Sequence, residues 1–236
     1  VVNILATINV GRGGMWLIDP FDVTISTTSS GDTYSANFDP TQTTVLNYAS
    51  IEASLNAGTD VSITTGSATA NTLTVDMAIE VKSYSGATLT LTGGTIDINQ
   101  GITGDGVSLN LVLNGATIDI DNSITTGGGS VDLDAVTLID LAEGQSIATT
   151  SSAGASAGAV NIAASGTGSV SLDGDINTSS ADGAATAGAG GNVTIATNNG
   201  TISIGNIDTS GGSGTTTGGD AGQLTVTDTS NNGTTL

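Results

Sequence analysis

The residues in this chain with the most chemical potential are carboxylates. Asp97, Asp119 and Asp140 each sit between two aliphatic residues, in Ile96-Asp97-Ile98, Ile118-Asp119-Ile120 and Ile139-Asp140-Leu141. Alternation of apolar and polar residues marks a half-buried strand, so each Asp faces out while its neighbours face in. Stacked in register, three such strands place the carboxylates in a column about 5 Å apart, where like charges repel. A column of acids is also the start of a divalent-cation site. Ca2+ takes roughly six to eight oxygens, more than a flat column supplies. The expectations are therefore weak Ca2+ binding at Asp97, Asp119 and Asp140, and as the plainer alternative a solvated acidic face. Asp173-Gly174-Asp175 is a turn with two acids and reads in the same two ways. No tandem Gly-Gly-x-Gly-x-Asp array is present, which argues against calcium-roll repeats.

The pairs Asp119/Asp121, Asp132/Asp134 and Asp173/Asp175 have the residue type needed for glycoside hydrolysis by two carboxyls. Removing a sugar proton needs a base as well. The chain offers only Arg12 and Lys82, far apart in sequence and neither beside an acid cluster, and it has no histidine. It has no cysteine, which excludes disulfides, thiolate metal sites and cysteine nucleophiles. Alternating Asp is also how an acidic strand surface stays wet. The sequence is read as non-enzymatic, with no catalytic residue and no required cofactor. A carbohydrate-active β-helix enzyme, a polysaccharide lyase or hydrolase, is the competing reading. Asn177, Asn192, Asn199 and Asn232 each open an Asn-x-Ser/Thr triplet near a loop or turn and are candidate glycosylation acceptors. Outward Thr90, Thr194 and Thr225 are interrupted by Asn110, Asp132 and Asn161, so no ice-binding threonine ladder is expected.

Charge narrows the partners. Against 22 acids stand two bases, for a formal charge of −20, so nothing neutralises phosphate and nucleic acid is excluded. Anionic membrane surfaces are disfavoured for the same reason. No run approaches the length of a membrane span, and no signal peptide is visible. Aromatics are only 3% of the chain, so the core has to be thin and built from Val, Ile and Leu.

The elements that would position these acids repeat. Val160-Asn161-Ile162, Val193-Thr194-Ile195 and Leu224-Thr225-Val226 open three copies of one pattern. A second triplet follows, Val170-Ser171-Leu172 or Ile202-Ser203-Ile204, then a lone apolar residue, Ile176 or Ile207, then a Gly/Ser/Ala/Thr-rich loop, 178–191 or 209–222. Three short strands per period that cannot bury a face alone predict a stacked solenoid. Repetition in one direction makes the strands parallel, and the hand of parallel crossovers makes the coil right-handed. The fold class is all-β: a right-handed parallel β-helix with three short strands per turn and loop insertions at one corner. An antiparallel sandwich, the alternative, does not repeat this internal order.

Earlier first-face triplets are Leu73-Thr74-Val75, Leu89-Thr90-Leu91, Leu109-Asn110-Leu111 and Val131-Asp132-Leu133. The three Asp triplets occupy the second face, and Ile102, Ile124 and Ile147 the third. Inserted loops begin at 149–158 and should line one edge without carrying core residues. Residues 1–85 read as an irregular start of the β-helix and 86–236 as its regular turns. The start carries strands at Val2-Asn3-Ile4 and Ile8-Asn9-Val10, a flap over 27–44 with Tyr34 and Phe38, and a short helix over Ser50–Gly58. Ser50 is the expected cap of that helix, Ile51 and Leu55 its buried face, and Gly58 its left-handed end.

Two stretches are more specific than the period. Gly14-Met15-Trp16-Leu17-Ile18-Asp19-Pro20-Phe21-Asp22-Val23-Thr24-Ile25 resembles the G-x-W-L-I-D-P-x-D-(I/V/W)-T-I stretch of filamentous haemagglutinin-like large exoproteins. Ser50 to Thr65, with Leu55-Asn56-Ala57-Gly58-Thr59, is similar to their I-x-x-x-L-N-A-G-T-x-V-x-I-x-T stretch, and the order is the family's. The Gly/Ala/Thr-rich corners fit its repeats, so the resemblance covers most of the chain. It implies a right-handed β-helix, export of a long parent through an outer-membrane secretion pore (two-partner secretion), and an adhesin or biofilm-matrix role at the bacterial cell surface. The implied partners are host-cell, glycan or matrix surfaces. The family's secretion domain, with its Asn-Pro-Asn-Gly motif, is missing, so pore recognition is not assigned to these residues. Both ends read as cut from mid-solenoid, which makes the chain a piece of a longer rod or a unit of a head-to-tail fibre.

Overall fold

A computed structural model describes residues 14–18, 22–27, 44–65 and 70–229. The expected strands at Val2-Asn3-Ile4 and Ile8-Asn9-Val10, the flap with Tyr34 and Phe38, Arg12 and Asn232 lie outside the described residues.

The chain is mostly strand. In order it forms β1 (Met15–Ile18), β2 (Val23–Ser26), β3 (Thr44–Asn47), the helix α1 (Tyr48–Asn56), β4 (Asp60–Thr64), β5 (Thr72–Val75) and β6 (Ile79–Val81). There follow β7 (Ala87–Ile98), β8 (Ile102–Gly104), β9 (Leu109–Ile120), β10 (Ile124–Thr125), β11 (Val131–Leu141) and β12 (Ser146–Ala148). The rest are β13 (Val160–Ala164), β14 (Ser169–Leu172), β15 (Asp175–Asn177), β16 (Val193–Thr197), β17 (Ile202–Ile204), β18 (Ile207–Asp208) and β19 (Leu224–Asp228). Every strand pairing among the described residues is parallel. Each strand pairs with its counterpart one repeat away, giving a large sheet and a second sheet in the order β18-β15-β12-β10-β8-β6. The antiparallel sandwich is thereby excluded, and the all-β parallel stacking that a solenoid requires is present.

The alternation in the sequence becomes alternation in burial. In β7, Leu89, Leu91, Ile96 and Ile98 are buried, while Thr90 and Asp97 between them are half-buried. Each inward residue stacks on its equivalent: Ile96 on Ile118, Ile118 on Ile139, Ile139 on Val170, Val170 on Ile202. Ile79, Ile102, Ile124, Ile147, Ile176 and Ile207 stack in the smaller sheet. Each buried side chain of this kind contributes about 2 kcal/mol by leaving water. Aliphatic columns therefore hold a core with almost no rings in it.

Two first-face assignments need correction. Leu73-Thr74-Val75 pairs with Ile96-Asp97-Ile98, and the strand that precedes Leu89-Thr90-Leu91 is Val61-Ser62-Ile63. Leu89 and Leu91 pair with Leu111 and Leu113, so the triplet there is Leu111-Val112-Leu113 and not Leu109-Asn110-Leu111. Leu109, Leu111 and Leu113 all point inward, so a slip of two residues leaves the hydrophobic pattern intact. The backbone settles it, because Gly93 pairs with Gly115 where each long strand turns from one face to the next.

The helix also starts earlier than expected. Asn47, extended at the end of β3, is the cap: its Oδ1 accepts the Ala49 N–H at 2.8 Å. Ser50 is already inside the helix and buried, and its carbonyl accepts the Ser54 hydroxyl at 2.8 Å. Ile51 and Leu55 form the buried face, and Gly58 takes a left-handed φ of 81° beneath the Tyr84 ring, as expected for the residue after the helix. Helix α1 lies along the free edge of β6. Glu52 accepts the Glu80 N–H at 2.7 Å, and Asn56 accepts those of Lys82 and Ser83 at 2.7 and 2.8 Å. Helix side chains thus satisfy strand donors that would otherwise be an open edge.

Candidate functional site

The three acidic triplets come together as the sequence implied. Asp97 pairs in register with Asp119, and Asp119 with Asp140. The column is bounded by Thr74 below and Ser171 above, both outward positions of the same face. All three carboxylates are half-buried. Burial raises the Asp97 carboxyl above its usual range, and the charges of Asp121 and Asp76 push it the same way. Asp119 is raised too, first by burial and then by Asp121, Asp140 and Asp97. The column is electrostatically frustrated and has no basic partner among the described residues, whose ion pairs join Lys82 to Glu80 at 2.6 Å and to Asp105 at 3.9 Å. No group of three or more acidic side chains among the described residues converges as a metal-holding cluster.

Asp173 and Asp175 stand apart from this column. Both are exposed, on either side of buried Gly174, and Asp175 accepts a hydrogen bond from Asn206 Nδ2 at 3.0 Å. Of the glycosylation candidates, Asn177 uses its Oδ1 to accept from the Ser179 N–H and hydroxyl at 2.9 and 2.6 Å. Asn192 accepts the Gln223 N–H at 2.8 Å, a strap between repeats that Asp60 makes to Thr88 and Asn110 to Ser130. Asn199 is exposed at the corner between β16 and β17.

A second constellation was not anticipated. At the corner that leads back to the large sheet, a threonine hydroxyl donates to a glycine carbonyl across the neck of each loop. The pairs are Thr126 with Gly129, Thr149 with Gly158 at 2.6 Å, Thr178 with Gly191 at 2.7 Å and Thr209 with Gly222 at 3.0 Å. The glycine N–H returns a bond to the threonine carbonyl, at 3.1, 3.2, 2.8 and 2.7 Å respectively. Thr126, Thr149 and Thr178 are fully buried. The glycines stack so closely that a Cβ on Gly158, Gly191 or Gly222 would overlap the carbonyl of the neck glycine below. The sequence signal was Ile-x-Thr, a loop of any length, then Gly-x-Val or Gly-x-Leu, written four times from Ile124 to Leu224.

The loops above these necks, 127–128, 150–157, 179–190 and 210–221, differ in length but line one corner. None joins the main hydrophobic cluster, but Ala187 in the 179–190 loop is buried, so that loop packs in part as structure. The longer ones stack on one another: Ser180 donates to Ser210, Gly183 to Ser213, Ala187 to Thr217 and Gly190 to Asp220 through their N–H groups. Ser151 with Ser180, and Thr186 with Thr217, are parallel bridges. The result is an ordered ledge of small polar residues, not a set of free flaps.

No family model matches the sequence, and no curated protein or solved structure matches it significantly. The stretches 14–25 and 50–65 are neighbours in space: β1 from the first pairs with β4 from the second, Met15 with Asp60 through Ile18 with Ile63. No described helix is long and apolar enough to cross a membrane.

Proposed function

We propose that this chain is a structural and adhesive segment of a large secreted bacterial surface protein, a stiff rod whose corner loops meet a host-cell, glycan or matrix surface. The observation that carries the reading is the pairing of constant necks with variable loops. Four in-register Thr–Gly necks hold loops of very different length without disturbing the stack. That is an arrangement for display on a rigid frame. In this reading the stack is a right-handed β-helix with three strands per turn, the hand that parallel crossovers favour. Export of a longer parent through an outer-membrane pore, and an extracellular location, follow from the resemblance of residues 14–25 and 50–65 to the exoprotein family. Divalent cations such as Ca2+ act here by relieving repulsion along Asp97, Asp119 and Asp140. Head-to-tail self-association meets an obstacle, because α1 occupies the edge of β6 where an incoming strand would pair. The covered edge therefore favours one end of a longer rod over a fibre of separate copies.

The test is adhesion of beads coated with the chain to epithelial cells and to immobilised glycans, beside a variant whose 179–190 and 210–221 loops are cut to a two-residue turn. Binding that the native chain shows and the folded loop-less variant lacks supports display. Equal binding by both takes adhesion away from the loops and overturns display, and binding by neither removes the adhesive role.

A further inference from the structure

We infer that Asn199-Gly200 is a self-modifying site, at which the Asn199 side-chain amide is lost to give aspartate and isoaspartate with water as the only reactant. Asn-Gly is the dipeptide in which a backbone nitrogen most easily reaches the preceding side chain, because glycine places no Cβ in the way. The sequence holds three: Asn114-Gly115, Asn199-Gly200 and Asn232-Gly233, the last outside the described residues. The two that are described sit in opposite settings. Asn114 and Gly115 lie inside β9, paired on one side with Thr92 and Gly93 and on the other with Asp134 and Ala135. Extended backbone locked in two ladders cannot rotate to bring nitrogen and side chain together without opening both.

Asn199 is exposed, outside any strand, and is the one non-glycine residue with a positive φ, 65°, among those described. That conformation is sparsely populated even for asparagine and stores local strain. The Gly200 N–H makes no hydrogen bond to the described residues, so the nucleophile is not tied up. Gly200 itself is wedged against the Gly168 carbonyl, with no room for a side chain.

The chemistry balances without a co-reactant. The Gly200 nitrogen forms a bond to Asn199 Cγ, and the tetrahedral intermediate expels the amide as ammonia, which carries away the nitrogen's proton. Water then opens the five-membered imide at either carbonyl. One opening gives aspartate; the other gives isoaspartate, with an extra methylene in the main chain. Either product puts a new carboxylate beside Asp228, whose Oδ1 accepts the Asn199 N–H at 3.2 Å. The modification therefore sets like charge against the end of β19, and it erases the Asn199-Gly200-Thr201 glycosylation triplet.

The experiment incubates the full chain at mildly alkaline pH, folded and in urea, and measures acid and isoaspartyl forms at Asn114 and Asn199 by peptide mass spectrometry. The variant Asn199→Gly accepts the positive φ and removes the amide, so it is the folded control. The expected result is conversion at Asn199 on the order of tenfold or more faster than at Asn114 in the folded chain, because Asn114 must wait for local opening. In urea the two rates should converge, and the 199 signal should be lost in the variant. Equal folded rates, or an Asn199 that stays intact while the unfolded chain converts, would overturn the inference.

Discussion

Residues 127–128 and 179–190 make the same connection in different repeats. The first is a tight turn; the second is a long loop with its own hydrogen bonds to the loop above it. Beneath both lies the same neck, a buried threonine and a glycine exchanging two bonds. Loops so unlike over necks so alike locate what holds the register. It lies in the neck and the aliphatic columns, and the loop above is free to vary because closing a longer loop costs little more than closing a short one. An outer feature such as the acidic column can even be unfavourable, since the inner one sets the geometry.

The largest effect that would sharpen this contrast is expected inside. Ile195→Asp puts a charge in the dry column between Ile162 and Val226 and should cost about 4 kcal/mol or more. A variant that melts like the parent would show that Ile195 does not face the core. Next comes the neck. Gly191→Val drives a side chain into the Gly158 carbonyl and should cost about 3 kcal/mol. Thr178→Val leaves the Gly191 carbonyl without its hydroxyl and should cost about 1–3 kcal/mol. Denaturant midpoints of the two variants decide the point, and neutral results at both would remove the neck from the account.

Loop and surface changes should matter least. Replacing 179–190 by a two-residue turn forfeits the stacking with 210–221, and the expected cost is about 1 kcal/mol, with the β spectrum unchanged. Loss of the β signal would mean that the ledge carries the stack. Asp119→Asn should raise stability slightly at neutral pH. The raised carboxyl of Asp119 makes the folded chain bind protons more readily than the unfolded one, so its ionisation lowers stability as pH rises above 3.8 through the folded value. The gain should vanish in acid, and it should shrink in high salt because the site is solvated and screened. A stabilisation that is independent of pH would point to a packing effect instead.

Much of the stack was legible because its inward residues are so uniform. The Ile-x-Ile triplets at 96–98 and 118–120, and the lone Ile102, Ile124, Ile147 and Ile176, could only be read one way. The first face was harder: Leu109, Leu111 and Leu113 bury equally well in two registers, and Leu73-Thr74-Val75 looks the same on either face. The cap expected at Ser50 lies at Asn47, because both residue types cap well and only the end of β3 distinguishes them. The Thr–Gly neck escaped notice because threonine and glycine are common throughout the chain, so their fixed offset from each Ile and Val had to be seen across loops of unequal length. The acidic column was foreseen as geometry, since register alone makes it. Its meaning for a ligand was not, because three outward carboxylates are as consistent with water as with a cation.

The chain has no cysteine, so parallel, in-register stacking can be tested by cross-linking. Outward Asn161, Thr194 and Thr225 occupy one column, with neighbours about 5 Å apart and the outer two about 10 Å apart. A disulfide spans roughly 4.4–6.8 Å between Cα atoms. Cysteine pairs at 161/194 and at 194/225 should therefore oxidise readily within one molecule, and a pair at 161/225 should not. Efficient closure of 161/225, or failure of both neighbouring pairs in a folded chain, would contradict the stack.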